Sequence, residues 1–360
     1  MGLFRLLLAL SVVLAHEGLP LRWRMVNGDT AVQAFFIVSG FYMTLILTRK
    51  YRDRRTFFVN RFLRLFPVYW IVLAMTALWS LALIAAGRSG GYPGFGAAVS
   101  DGASLSVGAK ALLIATNVSM LGQDLTLFLR TNAAGGLAFT TNFADAALPL
   151  YRFELIPQAW SLSIELVFYA MVVWLVRWPA RRLIMIVAAT AALRASLLAA
   201  GLPSDPWSYR FLPCELGLFV MGVVAYRLGT SVPPRSVSTS RLLTAGLIAF
   251  VLVFGFIPEW FPKRTLFCLY TALVLSDVFA LTEVNRTDRY IGELSYPLYL
   301  VHLVVIEMVA RLRLGVTAGR FVSIAAALAL AAALHQFVQR RVDRFRAARV
   351  PASTPLAALS

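Results

Sequence analysis

The first apolar run of the chain carries two residues that could bind an anion and move a proton. Arg5 and His16 lie near either end of FRLLLALSVVLAHEG, eleven residues apart. In an α-helix this is close to three turns, so both side chains share one face about 16 Å apart, one near a membrane surface and one near mid-bilayer. Ionisable side chains inside a membrane are costly and usually functional. The alternative is structural: a histidine bonded to a neighbouring helix, and an arginine that marks membrane orientation.

A second pair of basic residues opens the third apolar run. Arg61 and Arg64, in the stretch NRFLRLFP, are three residues apart and share a helix face. Two guanidinium groups at a membrane surface form a good clamp for phosphates. The tendency of cytoplasmic loops to be rich in arginine would also place both residues here. Tyr69 and Trp70 follow them, and Pro67 is expected close to the helix start.

A carboxylate stands in the stretch WSLSIELVFY, which opens a later span with Trp160. Ser161, Glu165 and Tyr169 recur every four residues and line one stripe of a helix. A carboxylate in an apolar helix needs a partner. Glu165 could orient a histidine, bind a sugar hydroxyl or pair with an arginine.

Polar residues also punctuate other apolar runs. Ser295, Tyr299 and His302 form a similar stripe, and Ser39-Gly40 thins the second span enough for close approach of another backbone. His335 is expected to be structural or interfacial. Three further charged residues, which the sequence does not pair, are candidates for internal ion pairs: Arg194, Glu215 and Asp277.

Composition defines the class of protein. Of 360 residues, 59% are hydrophobic and 14% are charged, against about 25% charged in soluble domains. The formal net charge of +17 suits cytoplasmic loops and anionic lipid headgroups, because no long soluble basic segment is present to hold nucleic acid. Cys214 and Cys268 lie in apolar runs, which argues against a disulfide framework. Motifs for metal binding, nucleotide hydrolysis and flavin chemistry are lacking, so no metal and no permanently bound cofactor are expected.

The apolar runs predict an all-α, polytopic helical bundle of about ten transmembrane helices. The loop after the second span carries a cluster of arginines that includes Arg52, which places it in the cytoplasm. Both termini are expected on the same side. Segment 107–121 is short and is expected to be re-entrant or interfacial. Segments 87–106 and 122–157 are expected to cap the outer mouth. The spans are expected near residues 3–19, 31–48, 66–86, 158–177, 182–200, 210–228, 241–258, 264–282, 290–311 and 320–340.

Taken in order, these motifs resemble acyltransferase family 3 of bacterial membrane-bound O-acyltransferases. The spacing of Arg5 and His16 is similar to that family's arginine-x10-histidine signature, and five later stretches follow its motifs: 35–40, 61–70, 160–169, 216–225 and 295–302. The likeness covers nearly the whole chain. Leu166 and Leu6 depart from the pattern, since the family often has a second acid and a glycine there.

The resemblance implies transfer of an acyl group, by default acetyl, from cytoplasmic acyl-CoA to a hydroxyl of an extracytoplasmic or lipid-linked saccharide. It implies a transmembrane domain over 1–345, a short disordered tail over 346–360, and a location in the bacterial inner membrane. An extracytoplasmic partner protein could receive the acyl group. His16 would act as general base or carry the acyl group covalently, and Glu165 would assist it.

The remaining roles follow the same resemblance. Arg5, Arg61 and Arg64 would hold the phosphates of the donor. The acceptor pocket would be lined by Ser39, Tyr69, Trp160, Ser161, Tyr299 and His302. Two alternatives remain open on the sequence: a secondary transporter or flippase for a glycolipid or small anion, and a structural subunit of a polysaccharide export complex.

Overall fold

The protein is an all-α bundle. The computed structural model describes residues 1–19, 25–51, 53–88 and 91–348, so Arg52 and the tail beyond 348 lie outside the described residues. A two-stranded antiparallel hairpin, β1 (Leu129–Thr131) and β2 (Leu137–Phe139), interrupts the helices. The helices are α1 (Gly2–His16), α2 (Gly28–Arg49), α3 (Arg54–Ala85), α4 (Pro93–Ser100), α5 (Val107–Ser119), α6 (Trp160–Leu175), α7 (Ala180–Ala199), α8 (Ser204–Trp207), α9 (Leu212–Ser231), α10 (Val237–Val253), α11 (Lys263–Thr282), α12 (Arg286–Glu293), α13 (Ser295–Ala310), α14 (Val316–Leu334) and α15 (Arg340–Ala348).

Nine helical stretches in the described part of the chain are long and apolar enough to cross a membrane. They confirm the predicted polytopic membrane class, and each of the ten expected spans falls on a helix. The first, α1, has 15 residues, which is about 22 Å of helix. The 13 residues of α5 give about 20 Å, less than the roughly 30 Å of a hydrocarbon core.

Helix α3 begins earlier than its hydropathy suggests. Asp53 caps it, because its side chain accepts a hydrogen bond from the Thr56 amide at 2.7 Å. Arg61 and Arg64 therefore lie inside the helix, and Pro67 is an interior residue rather than one near the helix start. The amphipathic first turns lower the local hydropathy, which explains the misplaced start.

Helices α2 and α9 cross with their backbones in close contact, as Ser39-Gly40 predicted. A methyl group added to Gly40 would lie 1.9 Å from the Phe219 carbonyl oxygen. One added to Gly222 would lie 2.0 Å from the Ile37 carbonyl oxygen. Only glycine fits at such a crossing, because any Cβ would overlap the opposite backbone. This contact fixes α2 at the centre of the bundle.

The start of α1 is held by Asp288 of α12. Its carboxylate accepts hydrogen bonds from the Gly2 and Leu3 amides at 2.6 and 2.8 Å, and it pairs with the Met1 ammonium at 2.8 Å. A carboxylate at a helix N-terminus satisfies free amides and complements the helix dipole. Helix α1 ends at His16, since Gly18 turns the chain at φ +64°. His16 is thus the last helical residue rather than one deep within a longer span.

The segment between α3 and α6 forms a small cap with its own apolar core. Short helices and the β-hairpin surround six buried side chains. Helix α5 is tied to α3 because Tyr69 and Trp70 donate hydrogen bonds to the Asn117 and Val118 carbonyls at 2.5 and 2.9 Å. The core residues are Ala97, Leu105, Ala109, Leu113, Leu150 and Phe153.

Candidate active site

Two cavities open toward opposite ends of α2. The larger, which we call the basic cavity, has a volume of about 470 Å³ and lies where α2 ends and α3 begins. Among the described residues that line it, six are basic and three are acidic, so this lining carries a net positive charge. The basic ones are Arg5, Lys50, Arg61, Arg64, Arg289 and Arg346; the acidic ones are Glu165, Glu293 and Asp343.

The second, which we call the histidine cavity, has a volume of about 380 Å³ and lies where α1 ends and α2 begins. It is lined by His16, aromatic rings and several polar side chains. Residues of segment 122–157, which was expected to form part of a cap, contribute to its lining. Its polar and aromatic lining comprises His16, Asp29, Gln123, Thr126, Tyr151, Glu154, Gln158, Trp160, Tyr209, Arg210 and Tyr299.

Two residues, Val32 and Tyr299, line both cavities. The Tyr299 hydroxyl donates to the Gln158 carbonyl at 2.9 Å and lies 2.7 Å from the Ser161 hydroxyl. Gln158 lines the histidine cavity and Ser161 the basic one. The Tyr299 ring therefore stands in the barrier between the two cavities.

The backbone fixes the tautomer of His16. Its Nδ1 lies 2.9 Å from the Val12 carbonyl oxygen, which can only accept, so Nδ1 carries the hydrogen. Nε2 is left with a free lone pair. The side chain is exposed and lines the histidine cavity. An imidazole arranged in this way can take a proton from a group bound in that cavity.

Arg5 and His16 lie on one face of α1, as their spacing predicted, and both meet α13. Arg5 donates to the Ser295 hydroxyl at 3.1 Å, and the His16 ring lies 4.9 Å from the His302 ring, centre to centre. The two residues nevertheless reach different cavities, Arg5 the basic one and His16 the histidine one.

Glu165 does not orient His16. It lines the basic cavity, and its carboxylate accepts hydrogen bonds from the Ser39 and Tyr169 hydroxyls, the latter at 2.8 Å. This corrects the expected assistance to His16. The physical reason is that α6 begins at the barrier: Trp160 lines the histidine cavity, whereas Ser161 and Glu165, which follow it, line the basic one.

The arginines of the basic cavity differ in their partners. Arg64 forms ion pairs with Glu293 and, at 3.6 Å, with Asp343. Arg61 has no carboxylate partner among the described residues; it contacts the Met43 sulfur at 3.8 Å and lies over the Tyr169 ring. Its Nε is buried without a hydrogen-bond partner in the described part of the chain. Arg61 is thus the arginine best able to bind an added anion.

A family model described as "Acyltransferase domain" matches residues 1–336. The chain belongs to acyltransferase family 3. It is also similar to the exopolysaccharide production protein ExoZ of Rhizobium meliloti (strain 1021), with 25% identity over 341 residues that cover 90% of this chain and 93% of ExoZ. No solved structure shows a significant match to the chain.

Two residues that the family resemblance placed in the acceptor pocket line neither cavity of this acyltransferase-family chain. Tyr69 is fully buried and accepts a hydrogen bond from the Gln123 amide at 3.1 Å. His302 is also fully buried, with Nδ1 2.7 Å from the Tyr299 carbonyl oxygen. Both lie one layer behind residues that do line the histidine cavity. Trp160 lines that cavity, whereas Ser39 and Ser161 line the basic one.

The structure also pairs the charged residues that the sequence left unpaired. Arg194 forms an ion pair with Glu215 at 3.1 Å, and Asp277 pairs with Arg235. His335 is buried with its ring 5.2 Å from that of Tyr290, in keeping with a structural role. The residues of these contacts line neither cavity: Arg194 and Glu215 join α7 to α9, and Arg235, between α9 and α10, holds Asp277 of α11.

Several cavity residues were missed by sequence reasoning. Glu293 and Asp343 line the basic cavity, and Glu154, Gln158 and Arg210 line the histidine cavity. Glu293 stands two residues before the Ser295 stretch, and Gln158 two before Trp160, so proximity to a motif was the available signal. Glu154 lies in the polar cap, where the sequence gives no reason to prefer it over its neighbours.

Proposed function

We propose that this protein is a membrane-bound O-acyltransferase that moves an acyl group, by default acetyl, from cytoplasmic acyl-CoA to a hydroxyl of an extracytoplasmic or lipid-linked saccharide. The observation that carries the proposal is the pair of cavities that meet at Tyr299, one basic and one containing His16. A donor and an acceptor on opposite sides of a membrane need this arrangement.

The basic cavity suits the donor. Coenzyme A carries several phosphate charges, and arginine binds phosphate through charge-assisted, often bidentate hydrogen bonds. Arg5 and Arg61 have no carboxylate partner among the described residues, and Arg64 is held in place by its acids. The positive-inside rule assigns this end of the bundle, with Arg54 and Arg55 beside it, to the cytoplasm, where acyl-CoA is made.

His16 is suited to activate the acceptor. Its Nε2 would take the proton from the acceptor hydroxyl while the hydroxyl oxygen attacks the thioester carbonyl. The carbon–sulfur bond then breaks, the new oxygen ester forms, and the thiolate of coenzyme A recovers the proton from the imidazolium. Because His16 reaches only the histidine cavity, the thioester must approach it past Tyr299. A rotation of that side chain would join the two cavities.

The acceptor is proposed from the relative. ExoZ is named for exopolysaccharide production, and a saccharide acceptor agrees with the polar and aromatic lining of the histidine cavity. Residues 1–345 would form the transmembrane domain, located in the bacterial inner membrane with both termini inside. An extracytoplasmic partner protein is a further candidate to receive the acyl group.

The test separates an enzyme from a carrier, which also needs two opposed cavities. The protein is purified, reconstituted in liposomes and supplied outside with acetyl-CoA labelled in its acetyl group and inside with a crude surface polysaccharide from the native strain. Release of free coenzyme A with label on the polysaccharide supports the proposal. Uptake of labelled material without release of coenzyme A contradicts it. Comparing surface glycans of wild-type and deletion strains by mass spectrometry then identifies the acylated hydroxyl.

A further inference from the structure

Three polar atoms without partners among the described residues belong to buried residues that line the histidine cavity. Gln123 Oε1, Glu154 Oε2 and Gln158 Oε1 have no hydrogen-bond partner within the described part of the chain. The three residues are 1%, 3% and 6% exposed, and all line this cavity. Leaving one such atom unpaired costs about 1–3 kcal/mol, so three together on a cavity wall indicate a ligand that pairs with them.

The protein itself fixes where these atoms point. The Gln158 amide nitrogen donates to the Leu300 carbonyl at 2.7 Å, and that of Gln123 donates to the Thr116 carbonyl at 3.4 Å. Carbonyl oxygens only accept, so neither amide can turn over without losing its bond. One oxygen of Glu154 likewise accepts from the Thr116 hydroxyl at 3.0 Å, which leaves the other without a partner among the described residues. Each residue therefore holds one oxygen ready for a hydroxyl group.

Two aromatic rings of the same cavity supply apolar surface. The Trp160 and Tyr209 rings lie 5.0 Å apart, edge to face, and both line the cavity. Ligand pockets typically combine aromatic surface with a few fixed polar groups in about 300–1,000 Å³, and this cavity, at about 380 Å³, falls in that range. Fixed oxygens and aromatic rings in one cavity match the polar hydroxyls and apolar faces of a sugar ring.

Arg210 and Asp29, two charged residues of the cavity lining, already have partners among the described residues. Arg210 pairs with Asp205 at 2.8 Å and lies over the Trp160 ring, and Asp29 pairs with Arg264. An acidic sugar would have to compete with Asp205 for Arg210. The described lining therefore favours an uncharged ring.

We propose that Gln123, Glu154 and Gln158 form a hydroxyl-binding wall that holds an uncharged sugar ring of the acceptor beside His16. This inference rests on the proposed function, whose acceptor it describes. It assigns acceptor binding to the cap and to the start of α6, and leaves proton transfer to His16.

Binding and transfer are measured separately, in lipid nanodiscs because sugar-headed detergents would compete. The ligands are a set of neutral p-nitrophenyl hexosides and the matching acidic glucuronide. Saturation-transfer NMR measures their binding in the absence of acetyl-CoA. We expect Glu154→Met and Gln158→Met to weaken binding of the best neutral hexoside about 10-fold, the scale of one buried hydrogen bond. Glu154→Gln, which keeps a polar atom at the cavity, should stay within about 3-fold of wild type. Gln336→Met, an exposed glutamine outside both cavities, is the matched control.

The transfer arm uses acetyl-CoA and the same hexosides and records release of the coenzyme A thiol. The Met variants should raise the acceptor KM about 10-fold and leave the acyl-CoA KM unchanged, a split that a merely structural role would not produce. Equal hexoside binding by wild type and both Met variants would overturn the wall, as would failure of the wild type to bind any hexoside. Glucuronide binding as tight as that of the neutral hexosides would overturn the preference for an uncharged ring. Hexoside binding that depends on the wall, without any release of coenzyme A, would support the wall and contradict the acyltransferase proposal.

Discussion

Replacing Arg61 with alanine should weaken donor binding without unfolding the protein. Arg61 has no carboxylate partner among the described residues, so its removal leaves no acid unpaired. A charge-assisted hydrogen bond to phosphate contributes about 1.5–3 kcal/mol, which corresponds to a rise of roughly 10- to 100-fold in the acyl-CoA KM. Arg61→Lys keeps the charge but loses the planar guanidinium. Its acyl-CoA KM should therefore lie between those of the wild type and Arg61→Ala.

Arg64→Ala should behave differently, because Arg64 is already paired with Glu293 and Asp343. Removing the Arg64 guanidinium leaves these two acids unpaired beside the donor phosphates and destabilises the fold. The side chains of Arg64 and Glu293 are 13% and 24% exposed, so the loss in unfolding free energy should be about 1–3 kcal/mol, below that for a fully buried pair.

The assay is release of the coenzyme A thiol by nanodisc-embedded protein, with acyl-CoA varied at saturating acceptor, and thermal unfolding measured on the same samples. Arg181→Ala is the matched control, since Arg181 is exposed on α7 and lines neither cavity. An acyl-CoA KM for Arg61→Ala equal to that of the control would show that Arg61 does not bind the donor and only orients the protein in the membrane.

Three further outcomes are expected. His16→Ala should reduce kcat at least 100-fold with an unchanged unfolding midpoint; near-normal turnover would remove His16 from the chemistry. Gly40→Ala should lower the unfolding free energy by about 1–3 kcal/mol, because its methyl group would lie 1.9 Å from the Phe219 carbonyl oxygen. Gly108→Ala is the control in the same thermal assay and should have little effect, because a methyl group there would meet open space. Burial raises the pKa of Glu154 from 4.5 to about 8, so between these pH values the folded state holds a proton that the unfolded state has lost. The free energy of unfolding should therefore fall by up to about 1.4 kcal/mol per pH unit as the pH rises through this range. Glu154→Gln should flatten that slope, and an unchanged slope in thermal unfolding from pH 5 to 8 would show that this carboxyl is not its source.

Local patterns were sufficient for the elements and for some pairings. Arg61 and Arg64 share a face of α3 and line one cavity, and Ser39-Gly40 allows the close crossing with α9, as their spacing predicted. The ends of two helices were predicted wrongly. The start of α3 was misplaced because its polar first turns lower hydropathy, and the end of α1 was set by Gly18 rather than by the apolar pattern.

The histidine and the carboxylate show where such reasoning stops. His16 and Glu165 were expected to act together because the family resemblance implied it, while the pattern of Glu165 in its apolar helix left three possible partners open. The structure places them on opposite sides of the Tyr299 barrier, which depends on how α1, α6 and α13 pack. Side-chain spacing within one helix contains no information about that packing.

The sequence by itself determined that this is an all-α, multi-pass membrane protein of acyltransferase family 3, since hydropathy and motif order are properties of the chain alone. The tertiary structure alone decided that its polar groups are divided between two cavities, and that Gln123, Glu154 and Gln158 line the same cavity as His16. Those three residues come from the cap and from the approach to α6, and a cavity wall is a relation between elements distant along the chain. Periodicity describes each element separately, so it cannot specify which of their polar atoms remain unpaired once the elements have packed.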